Sequence, residues 1–154
     1  MVDSLRWRLL GLVDYKTVEI YADFKDNLIV IPSGATVDSV QELHHPYNDA
    51  QLVALLTMAL AKSTYHEGWD QRLENILEQY LGVAEPAEAI RGRRLVFFSW
   101  SRRGGYSVTP TKALGGLNVY ELPGISLGKR ISGHMLVHAV KQALKTATPP
   151  RIHE

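Results

Sequence analysis

The chain has 154 residues, enough for one domain that buries roughly 70% of the surface its unfolded form exposes. It is 45% hydrophobic and 21% charged, with 12 Gly and 7 Pro, which excludes collagen-like, low-complexity and highly charged disordered classes. It has no cysteine, so disulfide frameworks, thiolate zinc sites and cysteine nucleophiles are excluded together, and a reducing compartment suits it.

The formal charge of +1 hides a division along the chain. Residues 1–90 hold six Lys/Arg against fourteen Asp/Glu, a net of −8, and residues 91–154 hold eleven against two, a net of +9. A field of one sign speeds encounter with partners of the other, so the split fits a face that recruits a charged partner. It fits equally two halves that attract each other within the fold. Apolar runs fall far short of the roughly twenty residues of a membrane span, and the first residues lack the form of a secretory signal. A cytoplasmic protein is expected.

In chain order, residues 18–24 alternate loosely, Lys25-Asp26-Asn27 supplies a turn, and Leu28-Ile29-Val30-Ile31 is a β-branched run closed by Pro32. A hairpin is predicted, ended by a proline that cannot donate to the ladder. Residues 35–43 show a weak pattern that reads as loop or short strand. Asn48 or Asp49 can then cap a helix whose stripe is Leu52, Val53, Leu55, Leu56, Ala59 and Leu60. A second helix is predicted from Trp69 to about Tyr80, with Leu73, Ile76, Leu77 and Tyr80 on its apolar side, ended by Gly82. A short helix with Pro86 in its first turn follows.

The second half repeats this plan. Residues 95–100 and 106–110 form a hairpin through Arg102-Arg103-Gly104-Gly105, again closing on a proline, Pro110. A strand over 117–122 comes next, and then a helix over 132–146 with Met135, Leu136, Ala139, Val140, Ala143 and Leu144 on one face. A shift of 84 residues places Leu52, Val53, Ala59 and Leu60 on Leu136, Val137, Ala143 and Leu144. The pattern predicts one α/β (α+β) domain over residues 1–154: a mixed or antiparallel sheet of about five to six strands. Two hairpin-plus-helix halves, residues 16–64 and 95–147, would build it, with the helices packed on the sheet.

Chemical motifs are few. Gly124-Ile125-Ser126-Leu127-Gly128-Lys129-Arg130 has three residues between its glycines instead of four, and Arg130 where a metal-binding hydroxyl is needed, so it is no phosphate loop. His134 and His138 stand one helical turn apart without the glutamate of a zinc-hydrolase helix, and His44, His45 and His66 have no spacing that joins them. Ser99, Ser101 and Ser107 lie outside any nucleophile turn. No catalytic residue, metal or cofactor is expected. The segment 91–106 concentrates five arginines and four aromatics, which fits a nucleic-acid platform using Arg93, Arg94, Arg102, Arg103 and Tyr106.

Taken together the chain resembles the immunity proteins of contact-dependent growth inhibition systems. The resemblance lies in the hairpin running into Leu28-Ile29-Val30-Ile31-Pro32, the helix of Leu52-Val53, Leu55-Leu56, Ala59-Leu60 and Ser63, and Tyr80-Leu81-Gly82-Val83 ahead of a short helix. It continues in Val108-Thr109-Pro110 before Gly115-Gly116, and in a final helix of Leu136, Ala139-Val140 and Ala143-Leu144. The resemblance implies a non-enzymatic inhibitor that forms a one-to-one complex with a cognate toxin domain, the C-terminal region of a delivered effector, commonly a nuclease, and blocks its active site. A nuclease cleft is positive because it holds phosphates, so an inhibitor presenting carboxylates competes for the same groups. The acidic half supplies the candidates: Asp70, Glu74 and Glu78 on the polar face of the helix over 69–80, and Asp23 and Asp26 at the first hairpin turn. Pairing of a free sheet edge with the toxin is a further route.

Overall fold

In the computed structural model, which describes residues 15–64, 76–115 and 118–150, the first alternating run becomes β1 (Tyr15–Ala22), paired antiparallel with β2 (Leu28–Pro32). Asp23 shapes the turn between them. Its carboxylate accepts hydrogen bonds from the backbone amides of Lys25 and Asn27 at 2.8 and 3.0 Å, and from the Asn27 side chain at 3.2 Å, while Asp26 takes a left-handed φ of 63°. β2 stops at Pro32, as its missing N–H requires. The weak stretch that follows forms a short 3-10 turn (Val37–Ser39) and a three-residue strand, β3 (Gln41–Leu43), on the outer side of β2.

Helix α1 (Asp49–Lys62) starts where the capping residues predicted. The Asn48 side chain accepts from the Gln51 amide and the Gln51 side chain accepts from the Asn48 amide, both at 2.8 Å, so two otherwise orphaned donors are satisfied reciprocally. Of the second predicted helix, the described part is α2 (Ile76–Leu81); it ends at Gly82, whose φ of 71° brings the amides of Gly82 and Val83 back to the Glu78 carbonyl. Helix α3 (Pro86–Ile90) carries its proline in the first turn.

The second half forms β4 (Arg94–Ser101), β5 (Gly105–Gly115), β6 (Asn118–Glu121), β7 (Ile125–Gly128) and helix α4 (Gly133–Thr146), capped by Ser132. The sheet runs β3-β2-β1-β4-β5-β6, with β7 also on β5, and every pairing is antiparallel. Among the described residues it has seven strands where about five to six were expected, the additions being β3 and the glycine-bounded β7.

Pro110 does not end its strand. Its carbonyl accepts from the Leu122 amide at 2.9 Å, so both backbone groups of this residue point toward β6, and the absent N–H costs nothing in the ladder to β4. The strand therefore runs on to Gly115, leaving β4 behind and pairing with β6.

The two halves meet along β1 and β4, from Tyr15 opposite Ser101 to Ala22 opposite Arg94. Both long helices lie on one face. There Leu52, Leu56, Ala59 and Leu60 of α1, and Leu136, Val137, Ala139, Val140, Ala143 and Leu144 of α4, close over Val18, Ile20, Val30, Val96, Phe98 and Val108. The shift of 84 that aligns the helical stripes also carries Asn48 onto Ser132 and each end of α1 onto the matching end of α4. The opposite face has its own smaller core, in which Tyr21, Ile29 and Ile31 pack with Val40, Leu77 and Ala89 under the 3-10 turn, α2 and α3. Cover on both faces explains why β2 reads as a continuous apolar run and not as an alternation.

Candidate functional site

The sheet order turns the charge division of the sequence into a division in space. β1, β2 and β3 lie on one side of the central seam and β4 to β7 on the other. Among the described residues two ion pairs join the halves, Asp26–Arg94 at 2.6 Å and Asp49–Lys141 at 3.2 Å. Away from them, Asp38, Glu42, Glu85 and Glu88 are exposed on the 3-10 turn, β3 and the segment around α3, and neither residues 26–61 nor 76–90 contain a Lys or Arg. These elements form one surface: Val37, Val40, Leu77, Ala89 and Ile90 share the second core, and the Tyr80 hydroxyl donates to the Glu42 carboxylate. Burial, together with that hydrogen bond and the Glu42 charge, pushes Tyr80 above the ordinary tyrosine range. The other side is basic, with Arg103, Lys112, Lys129, Arg130, Lys141 and Lys145 exposed.

Of the five carboxylates proposed from the sequence, the three within the described residues, Asp23, Asp26 and Glu78, do not share one exposed surface. Asp23 is spent on its own turn: burial pushes its pKa up, but the hydrogen bonds from Asn27 and Lys25, with help from the Arg93 charge, outweigh it and hold the carboxyl below its usual range. Asp26 is engaged by Arg94. Asp70 and Glu74 lie outside the described residues. Glu78, expected on a solvated helix face, is 8% exposed. Its helix is covered on the side turned to the sheet, where the Glu78 charge acts on Glu19 and Tyr21.

Glu19 is the residue that sequence reasoning missed. It stands in β1 between Ile31 of β2 and Phe97 of β4 and accepts a hydrogen bond from the Tyr21 hydroxyl at 3.2 Å. Burial pushes its pKa to about 7, the Tyr21 bond opposes the shift, and Glu78 adds to it. Burial and the same carboxylate raise Tyr21 well above the tyrosine range. The signal was a lone acid inside an apolar run on a strand whose two faces are both covered. Nearby, Thr17 and Ser99 share a hydrogen bond of 2.8 Å and the Ser63 hydroxyl accepts from the Thr17 amide at 3.1 Å, so these hydroxyls tie the strands to the end of α1.

The arginine-aromatic segment is largely consumed by the fold. Arg93 donates from Nε to the Ala89 carbonyl at 3.0 Å. Arg94 donates to the Leu144 and Asp23 carbonyls, each at 3.1 Å, besides its bond to Asp26. Tyr106 stacks on the buried Phe98 ring, centroids 6.1 Å apart, and Trp100 packs against the same core. Arg102 and Arg103 are exposed at the far turn, about 23 Å from Arg94 along an eight-residue strand, so the arginines do not form one phosphate track.

His134 and His138 are both exposed on α4, and among the described residues no three His, Asp or Glu side chains are grouped to hold a metal. Among those residues, too, no helix is long and apolar enough to cross a membrane.

Neither a family model nor a curated protein matches the chain. It is similar to a solved structure from Neisseria meningitidis, NMB0488, described as a protein of unknown function. The TM-score is 0.65 over 87% of this chain and 96% of that one, at 14% identity. The likeness is one of fold, and it extends over nearly the whole of the Neisseria chain.

Proposed function

We propose that this chain is a cytoplasmic immunity protein of the contact-dependent growth inhibition type, which neutralises a toxin domain by laying its acid-bearing side over the toxin's phosphate-binding cleft. The observation that carries this reading is the exposure of Asp38, Glu42, Glu85 and Glu88 on the 3-10 turn, β3 and the segment around α3, within stretches 26–61 and 76–90 that contain no Lys or Arg. A surface of one sign recruits a cleft of the other quickly and rejects neutral or acidic partners. Of the residues that carry the family resemblance, Ile29, Ile31, Tyr80, Leu81 and Val83 belong to or pack against the second core, which lies under this surface. An inhibitor acting by coverage needs a rigid shape and no chemistry of its own.

The test is to purify the chain with the toxic domain encoded immediately upstream and to measure association rate and residual nuclease activity. A one-to-one complex that abolishes activity is expected. The triple change Glu42→Lys, Glu85→Lys, Glu88→Lys should slow association roughly tenfold or more at low salt, with the difference shrinking as salt rises. Full inhibition by the triple variant at an unchanged rate would overturn this surface as the site, and failure of the wild-type chain to bind would overturn the function.

A further inference from the structure

The turn between β1 and β2 carries a residue that the fold does not use. Asp23, Asp26 and Asn27 each serve the turn: the Asp23 carboxylate ties the amides of Lys25 and Asn27, Asp26 takes the left-handed backbone, and the Asn27 side chain donates to Asp23 and accepts from the His45 amide at 2.9 Å. Arg94 holds the Asp23 carbonyl and the Asp26 carboxylate from a third side. Position 24 has no such duty, yet it is phenylalanine and not one of the small or polar residues that turns favour. Phe24 is 84% exposed, more than any other large hydrophobic side chain among the described residues, and neither core includes it.

Single exposed apolar side chains are common on protein surfaces. Phe24 differs from them in standing on a fixed backbone and in bordering the acid-bearing side. From Glu42 on β3 the chain passes His44, whose Nε2 lies 3.6 Å from the Glu42 carboxylate, to His45, which is bonded to the turn. On the other flank Arg93 donates to the Ala89 carbonyl, next to Glu88, and its charge acts on Asp23. His45 and Pro46 are exposed beside the turn, and Tyr47 meets the His45 ring edge-on with centroids 6.1 Å apart, so the tip is aromatic and apolar beyond Phe24 alone.

We infer that Phe24 is the apolar anchor of the inhibitory surface, entering a hydrophobic pocket on the toxin domain beside its phosphate-binding cleft. This role rests on the function proposed above. Charges at the rim of an interface set the rate of encounter, whereas an aromatic side chain desolvated in a pocket holds the complex together. A turn already fixed by Asp23, Asn27 and Arg94 has little freedom left to lose when it binds, so most of what the Phe24 contact contributes goes into affinity.

The test compares dissociation of the complex with the upstream-encoded toxic domain for the wild-type chain, Phe24→Ala and Phe24→Leu. Phe24→Ala should dissociate roughly thirtyfold faster, with an association rate within about twofold of wild type. The free variant should keep its melting temperature, because the side chain supports neither core. Phe24→Leu, which keeps most of the apolar volume, should recover most of the lost lifetime. The effect on dissociation should persist in about 0.5 M salt, unlike the effect of Glu42→Lys, Glu85→Lys, Glu88→Lys on association. A wild-type complex whose dissociation is unchanged by Phe24→Ala overturns the anchor and leaves the inhibitory function standing. Failure of the wild-type chain to form a complex overturns the function and the anchor with it. Self-association of the free chain, or binding to phosphatidylcholine vesicles, that is lost in Phe24→Ala would assign the tip to a second copy or a lipid surface and also overturn the anchor.

Discussion

Arg94 Nη2 stands 2.6 Å from Asp26 Oδ1, and this pair fastens the turn of the first hairpin to the first residue of β4, where the acidic half of the chain meets the basic half. The same guanidinium also caps the α4 carbonyl of Leu144 and the Asp23 carbonyl, so one side chain joins two strands and a helix end. Its planar fork suits this use, since three acceptors in different directions are met by one rigid group.

Removing that clamp should cost more than the ion pair alone. Arg94→Ala is expected to lose about 2 kcal/mol of stability, because two carbonyls lose a donor along with Asp26. Asp26→Asn should cost only about 0.5 kcal/mol, since Asp26 is more than half exposed and asparagine tolerates the left-handed backbone there. Urea unfolding of the two variants checks the ratio; equal losses would show that the carbonyl contacts contribute nothing.

Glu19 makes stability depend on pH near neutrality. The folded chain holds the Glu19 proton up to about pH 7, whereas the unfolded chain releases it near 4.5. Between these values the folded state binds more protons, so stability falls as pH rises from 4.5 to 7 and levels off above, a loss on the order of 3 kcal/mol from this group. Glu19→Gln keeps an acceptor for the Tyr21 hydroxyl and should remove this fall, leaving the variant more stable than wild type at pH 8. Denaturation measured across pH 4 to 8 decides it.

The reciprocal cap at α1 is worth a separate measurement. Asn48→Ala leaves the first turn of α1 with an unpaired amide and frees Gln51, for an expected loss of about 1 kcal/mol. Asn48→Asp, which keeps the acceptor at a helix start, should restore most of it. Thermal unfolding of the two variants side by side is the check.

Two glycines with similar backbones should respond differently to alanine. Gly105 has a φ of 75°, and a Cβ there would run into the Gly128 carbonyl at the end of β7, so Gly105→Ala should cost more than about 3 kcal/mol or abolish folding. Gly92 has a φ of 70° with nothing near its Cβ position, so Gly92→Ala should cost only about 1 kcal/mol, the backbone term alone. Equal effects in chemical denaturation would mean that β5 and β7 separate freely.

Much of the architecture was legible from local pattern. Asn48, Ser132, Gly82 and Pro86 announce helix ends by chemistry that acts within four residues, and Lys25-Asp26-Asn27 announces the first turn in the same way. β7 was hidden, because Ile125-Ser126-Leu127-Gly128 is too short to show a period and pairs with a strand about twenty residues earlier. Pro110 misled for a related reason: whether a proline ends a strand depends on which neighbour its missing N–H would have faced, and that neighbour is chosen by the sheet.

The sequence by itself determined the two hairpins, the two long helices, the absence of thiol chemistry and the opposite charge of the two halves. All of these follow from side-chain type and near spacing. Only the tertiary structure decided that the charged halves lie on opposite sides of one sheet, that Asp23, Asp26, Arg93 and Arg94 are spent on holding the fold, and that Glu19 and Glu78 are covered. The reason is physical: the cost or use of a charge depends on how much water and which partners surround it, and in this chain those partners come from strands and helices tens of residues away.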